Sequence, residues 1–431
     1  MKLAKMNMTS ETTEERAEIA VIGLGNAGLP LAAVIADSGI NVVGIDVNRE
    51  RCRLINEGRN PIPEERGLGE LIEKYGGRQF FATANYEDAA SCTTFIVIVP
   101  VFVDENYNPD LSIMAQALQS LGRILKRGDL VVLETTFPPG TTEGPVRELL
   151  MKASGLSEAD FLLAYSPERI MTGYSISRLR EFPKVIGGAD ERSGIEAYSV
   201  YKRFISNLHL VSSARVAEMI KVMEGCYRDV NICLANELFK ICGEIGIDFF
   251  EARQHANHQY CNIHQPGTGV GGHCIPVYPW FLIKEMEKRE KFDSCRLLRT
   301  SRELNDGMID YWMGRIVQQC LKINKPLASV KICILGITFR AEVREFYHSR
   351  NLALAKGLAE KGLDIYAFDE LLSREEVERL GLRQIDPRDA DIVFDCFNLL
   401  CMSGEDWGKD ERRAESAGQG RPARRESTGC P

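Results

Sequence analysis

Residues 18–46 read EIAVIGLGNAGLPLAAVIADSGINVVGID, and the fold is decided there. Apolar residues up to Ile22 form a strand, the glycine-rich turn follows, LAAVIADSG continues as a helix, and INVVGID returns as a second strand. Gly23-Leu24-Gly25-Asn26-Ala27-Gly28 is a G-x-G-x-x-G turn between strand and helix. Its glycines permit tight turning and let a pyrophosphate sit close to the backbone at the helix N-terminus. Asp46 closes the second strand, where a carboxylate accepts both hydroxyls of an adenosine ribose and repels a 2'-phosphate. NAD is therefore the expected cofactor, held by Gly23, Gly25, Asn26, Ala27, Gly28 and Asp46. Arg51, in the following helix, either caps the adenine, binds phosphate, or is an exposed helical arginine.

Outward from this βαβ unit, the short apolar runs at Thr94–Val99 and Leu130–Thr135 suit strands of a parallel sheet buried on both faces. The expected fold is α/β, with two Rossmann-like doubly wound domains joined by a central helical dimerisation segment built on one long helix. The expected boundaries are a disordered N-terminus (1–16), an NAD-binding domain (17–205), a central helical segment with chemistry in it (206–325), a smaller C-terminal α/β domain, truncated or atypical (326–400), and a disordered tail (401–431). The tail is rich in Gly, Arg, Glu and Ser without apolar periodicity, and completes no sheet.

Composition narrows the function classes. The 431 residues carry 53 Lys+Arg against 61 Asp+Glu, a net charge of -8, with no basic stripe interleaved with aromatics before the last thirty residues. Nucleic acid is not an expected partner. No apolar run approaches the ~20 residues of a membrane span, and no apolar signal core precedes Glu18, so a cytoplasmic protein with no membrane partner is expected. The 13 cysteines lack paired spacing and read as reduced, mostly buried thiols. The dispersed histidines give no metal site.

Two further stretches carry chemistry. Gly267–Pro279, GTGVGGHCIPVYP, concentrates glycine before His273 and Cys274, so something must approach this backbone closely. Cys274 is a candidate nucleophile against the alternative of a small core residue, and His273 shapes the loop. The segment Ala214–Gly246 reads as one long helix, broadly apolar, interrupted by Gly225, and suited to a homodimer interface. On it Lys221, Glu224 and Arg228 share one face, either as functional charges or as a solvated stripe.

Together these pieces resemble the UDP-glucose/GDP-mannose dehydrogenase family over about residues 18–397. The carrying motifs are GLGNAGLP, NPDLS (108–112), ETTFPPGTTE (134–143), SPERIMTG (166–173), KVIGG (184–188), YRDVNICLANE (227–237), GVGGHCIPV (269–277), RELND (302–306) and ILGITFR (334–340). NIHQPG and PWF are most similar to the branch acting on UDP-N-acetylhexosamines, especially UDP-N-acetyl-D-mannosamine. The resemblance implies an NAD-dependent oxidation of the C6 alcohol of a UDP-sugar to a uronate in polysaccharide precursor biosynthesis. It assigns Cys274 as nucleophile, Lys221 as the group polarising substrate oxygens, and Glu168 and Thr136 as partners of the hydrolytic water and the nicotinamide. Arg169, Ile170, Lys221, Arg228, His264, Gly271 and Arg340 fall at substrate positions.

The chain also departs from the family pattern. Gly225 replaces an asparagine and Tyr278 an aspartate. Tyr260 and Tyr347 replace arginines, Arg340 a lysine, and Val101-Phe102 a Thr-Pro pair. Two readings follow: a working nucleotide-sugar 6-dehydrogenase with altered substrate or slowed hydrolysis, or a catalytically impaired relative serving as an NAD/nucleotide-sugar binding or assembly module.

Overall fold

The computed structural model describes residues 17–170, 173–341, 343–346 and 348–409. They form two compact units: residues 17–101 with 110–221, and residues 102–109 with 222–409.

The first unit is built on eight strands: β1 (Ile19–Ile22), β2 (Val42–Ile45), β3 (Phe80–Thr83), β4 (Thr94–Val97), β5 (Leu130–Leu133), β6 (Leu162–Tyr165), β7 (Lys184–Gly188) and β8 (Leu208–Val211). Their order is β8-β7-β6-β5-β4-β1-β2-β3. Every neighbouring pair is parallel except β6 and β7. Strand alternation divides the apolar residues between the two faces. Ile19 and Val21 enter one core with Leu130 and Val132, whereas Ala20 and Ile22 enter the other with Val131 and Leu133. The chain order reverses at β1, between β2 and β4, and the turn after β1 opens into the crevice that such a reversal creates. Helix α1 (Gly28–Asp37) follows that turn and buries Leu29 and Leu31 through Ala36 in the first core.

The long segment is a single helix as expected, α2 (Ala214–Ile245), 32 residues long. The second unit continues with α3 (Tyr278–Lys288), α4 (Arg296–Cys320), β9 (Lys331–Leu335), α5 (Arg350–Glu360), β10 (Asp364–Phe368), β11 (Arg383–Gln384), β12 (Ile392–Asp395) and β13 (Leu400–Met402). The sheet order β11-β10-β9-β12-β13 again places the first strand centrally. Met308, Trp312 and Ile316 of α4 and Leu354 and Leu358 of α5 pack on Ile332, Ile334 and Phe394.

The expectation of a disordered tail from residue 401 is corrected as far as residue 409. The Asp395 carboxylate accepts the amides of Phe397 and Asn398, both at 3.0 Å, and Leu399 takes a left-handed conformation (φ 54). That turn reverses the chain so that β13 runs antiparallel to β12, and a short helix, Gly404–Lys409, follows. The expected disorder at residues 1–16 and 410–431 lies outside the described residues, as does Tyr347. Among the described residues no helix is long and apolar enough to cross a membrane.

Candidate active site

The three glycines of the β1–α1 turn have different work. Gly23 has φ +97, and a β-carbon there would stand 2.8 Å from the Ile98 carbonyl oxygen. A β-carbon on Gly28 would overlap the Gly23 carbonyl oxygen. Gly25 instead faces open space, with no atom within 4 Å of an added β-carbon. The first and third glycines thus let strand and helix close on each other, and the second leaves room for a ligand to reach the backbone. Asn26 is exposed beside it, and Ala27 caps α1 without a side-chain acceptor; the Leu29 amide donates to the Gly25 carbonyl at 3.1 Å and Pro30 has no N–H, so the donors facing an anion here are the turn amides before Leu29.

Asp46 is nearly buried, and its Oδ2 accepts the Leu24 amide at 2.8 Å while Oδ1 accepts the Asn48 amide at 2.8 Å. Arg51 Nη1 lies 3.0 Å from Asp46 Oδ2, so the arginine is paired with the strand-end carboxylate. Open backbone, helix terminus and strand-end carboxylate fit a dinucleotide.

Further along the same sheet, Thr136 and Glu168 both neighbour the phenol of Tyr165, the last residue of β6. Burial pushes this phenol well above its ordinary value, Glu218 adds to the effect, the Thr136 side chain opposes it, and Glu134 and Glu168 reinforce it. Sequence reasoning passed over Tyr165, although its place directly before SPERIMTG was a usable signal. Glu168 accepts the Ile170 amide, and Arg169 Nη1 donates to the Pro183 carbonyl at 2.8 Å.

Two buried carboxylates, also missed, pin the loops that carry these residues. Glu218 accepts the amide and hydroxyl of Thr142 at 2.8 and 2.6 Å, and burial holds its carboxyl above the ordinary range. Glu65 accepts the Gly173 amide and the Ser175 hydroxyl, both at 2.8 Å. Lys221 stands half-buried on α2, three residues beyond Glu218.

In the second unit the glycine loop meets protein. A β-carbon on Gly269 would come within 2.7 Å of the Asn305 carbonyl oxygen, and one on Gly271 within 2.7 Å of the His348 carbonyl oxygen. The Gly267 amide donates to Asn236 Oδ1 at 2.8 Å, and its carbonyl accepts Trp312 Nε1 at 3.2 Å. Close backbone approach at Gly269 and Gly271 is thus satisfied by the chain itself. RELND has the same kind of role, since buried Arg302 pairs with buried Asp229 at 2.5 Å and Asn305 donates to Asp229.

The loop ends at His273, whose Nε2 contacts the Glu345 carboxylate, and at Cys274. Among the described cysteines only Cys274 and Cys401 are exposed. Burial pushes the thiols of Cys92, Cys226 and Cys333 up to about 12. The Cys274 carbonyl accepts the Val277 and Tyr278 amides at 3.1 and 3.0 Å, forming the turn that opens α3. Tyr278 itself is buried with Val222, Cys226, Val277 and Phe281.

Two substrate-position candidates, His264 and Arg228, influence each other electrostatically. Burial holds the His264 imidazole below its ordinary value, with Arg228 and then Arg253 acting in the same direction. Arg340 lies half-buried after β9, and Tyr260 is 86% exposed on a turn closed by His258 and Cys261. Among the described residues no group of three or more His, Cys, Asp or Glu is placed to hold a metal ion.

Residues 17–205 match the NAD binding domain, and residues 215–307 the central domain, of the UDP-glucose/GDP-mannose dehydrogenase family. The chain is 36% identical over 353 residues to the NDP-N-acetyl-D-galactosaminuronic acid dehydrogenase of Ralstonia nicotianae, spanning 80% of this chain and 81% of that one. It is 34% identical to the UDP-N-acetyl-D-mannosamine dehydrogenase of Campylobacter jejuni, over 90% and 91% of the two chains. The solved structure of UDP-D-ManNAc dehydrogenase from Pyrococcus horikoshii superposes with a TM-score of 0.79 at 29% identity, over 89% of this chain and 96% of the other.

Proposed function

This chain belongs to the UDP-glucose/GDP-mannose dehydrogenase family, whose cofactor is NAD, and on that footing we propose that it is a working UDP-N-acetylhexosamine 6-dehydrogenase. UDP-N-acetyl-D-mannosamine is the preferred substrate in this reading, and the product is the corresponding uronate, a polysaccharide precursor. The two relatives compared over most of the chain, named for an N-acetylgalactosaminuronate and an N-acetylmannosamine, support an N-acetylated sugar.

The observation that carries the proposal is Cys274: one of two exposed thiols among the described cysteines, it sits in a built turn directly before α3. NAD supplies the hydride acceptor for two successive oxidations. Between them the Cys274 sulfur adds to the C6 aldehyde as a thiohemiacetal. After the second oxidation the sulfur carries a thioester, and water releases the acid and restores the thiol. Lys221 places a compact positive charge where the C6 oxygen gains alkoxide character. Glu168 orients the hydrolytic water, Thr136 faces the nicotinamide, and Arg169, Ile170, Arg228, His264, Gly271 and Arg340 hold the nucleotide sugar.

Retention of Cys274, Lys221, Glu168 and Thr136 together favours this reading over an impaired binding module, and the replacements at 225 and 278 leave no void, because the small residue and the large one fill each other's space. The test is alkylation of the intact protein with iodoacetamide, read by peptide mass spectrometry. Cys274 is expected to react faster than Cys401 and to be protected by NAD with UDP-N-acetyl-D-mannosamine. Equal reactivity without protection contradicts a nucleophilic Cys274.

A further inference from the structure

The long helix carries glycine at one interior position where packing demands it. A β-carbon on Gly225 would overlap Cδ2 of Tyr278 and stand 3.0 Å from its Cβ and 3.1 Å from its Cγ. The missing side chain leaves a notch in α2, and the Tyr278 ring fills it, only 6% exposed. Val222 and Cys226 of α2 and Val277 and Phe281 of α3 complete the apolar cluster around the ring, and the Phe281 ring centroid lies 5.8 Å away.

The backbone of the same tyrosine bonds to that of Cys274. Its amide, with that of Val277, donates to the Cys274 carbonyl and closes the turn on which Cys274 stands. Upstream, His273 contacts the Glu345 carboxylate and the Gly271 backbone lies close against the His348 carbonyl. Downstream, the tether is Tyr278. We propose that Tyr278 is a positioning residue for Cys274: its ring, seated in the notch at Gly225, clamps the cysteine turn onto α2.

The functional part of this proposal rests on the reading of Cys274 as nucleophile. A nucleophile held loosely loses rate while substrate binding survives, and a displacement of about 1 Å can cost on the order of 10²-fold. The clamp is assigned to the ring, so a phenylalanine should serve in its place.

The experiment compares the full-length protein with Tyr278→Ala, Tyr278→Phe and Gly225→Ala, each first checked for an intact circular dichroism spectrum. Initial rates with UDP-N-acetyl-D-mannosamine and NAD are measured beside hydrogen exchange of the backbone amides at 277 and 278. Tyr278→Ala and Gly225→Ala are expected to lower kcat by about 10-fold or more with KM within about twofold, and to speed exchange by about 10-fold. Tyr278→Phe should match the parent in both readouts. Unchanged exchange and kcat in Tyr278→Ala overturn the clamp, and so does a Phe variant as impaired as the Ala variant. Should the parent produce no NADH from any UDP-sugar, the nucleophile reading fails, while the exchange comparison still decides whether the ring holds the turn.

Discussion

Gly28 opens its helix so close to Gly23 that a β-carbon at 28 would overlap the Gly23 carbonyl oxygen. Gly25, between them, has only open space beside it. The two positions therefore separate folding from binding. Gly28→Ala is expected to destabilise the first unit by about 1–3 kcal/mol in urea unfolding, through overpacking against rigid backbone. Gly25→Ala should leave the unfolding midpoint within error and weaken NAD at least about tenfold in calorimetric titration, because its methyl occupies the ligand's approach.

The Gly225–Tyr278 fit makes a stability prediction independent of catalysis. Alanine is the better helix former by about 1 kcal/mol, yet Gly225→Ala should cost about 1–3 kcal/mol because its methyl strikes the ring. In a Tyr278→Ala background that cost should fall by more than half. A double-mutant cycle reads the difference as a coupling of at least about 1 kcal/mol, and additive effects would refute the notch.

His264 gives the second unit a pH dependence of defined sign. Burial and the neighbouring Arg228 and Arg253 hold its imidazole below the ordinary value of about 6.5. Below about pH 6.5 the unfolded chain takes up the proton first, so this contribution to stability is present above that pH and is lost as pH falls through the lower folded value. His348 acts in the same direction, its shift caused first by burial and then by His273. The thermal midpoint should therefore drop less between pH 7.5 and 5.5 in His264→Gln than in the parent, and the parent-minus-variant difference isolates the one imidazole. Parallel curves would show that His264 is not held neutral.

Met223, Tyr227, Leu234, Ile241 and Ile245 of α2 are exposed, at 56%, 56%, 46%, 48% and 63%. At about 100° per residue they fall within an arc of about 40°, forming one apolar stripe. A homodimer seated on this stripe is the expected assembly. Light scattering at micromolar concentration should give twice the chain mass for the parent and the chain mass for Leu234→Glu with Ile241→Glu. A monomeric parent would remove the stripe as an interface.

The first βαβ unit was legible because its period, glycines and terminal aspartate coincide within 29 residues (18–46). The long helix was legible from composition. Other features depend on partners distant in sequence. Nothing local ties Gly225 to Tyr278, Thr136 to Tyr165, or Glu65 to Gly173. The glycine loop read correctly as a place of close approach, but the sequence did not show that Asn305 and His348 would do the approaching. β13 escaped because a three-residue edge strand has almost no periodicity, and the Asp395 turn that creates it resembles any polar linker. The antiparallel pairing of β7 likewise leaves no mark in KVIGG itself.

The most direct measurement is the NADH formed per UDP-N-acetyl-D-mannosamine consumed by purified protein, with mass spectrometry of the sugar nucleotide and of the intact chain at the end. Oxidation through a Cys274 thioester predicts two NADH per sugar, free uronate and an unmodified protein. No NADH from this sugar, from UDP-N-acetylglucosamine or from UDP-glucose, in protein that demonstrably binds NAD, would contradict the dehydrogenase assignment.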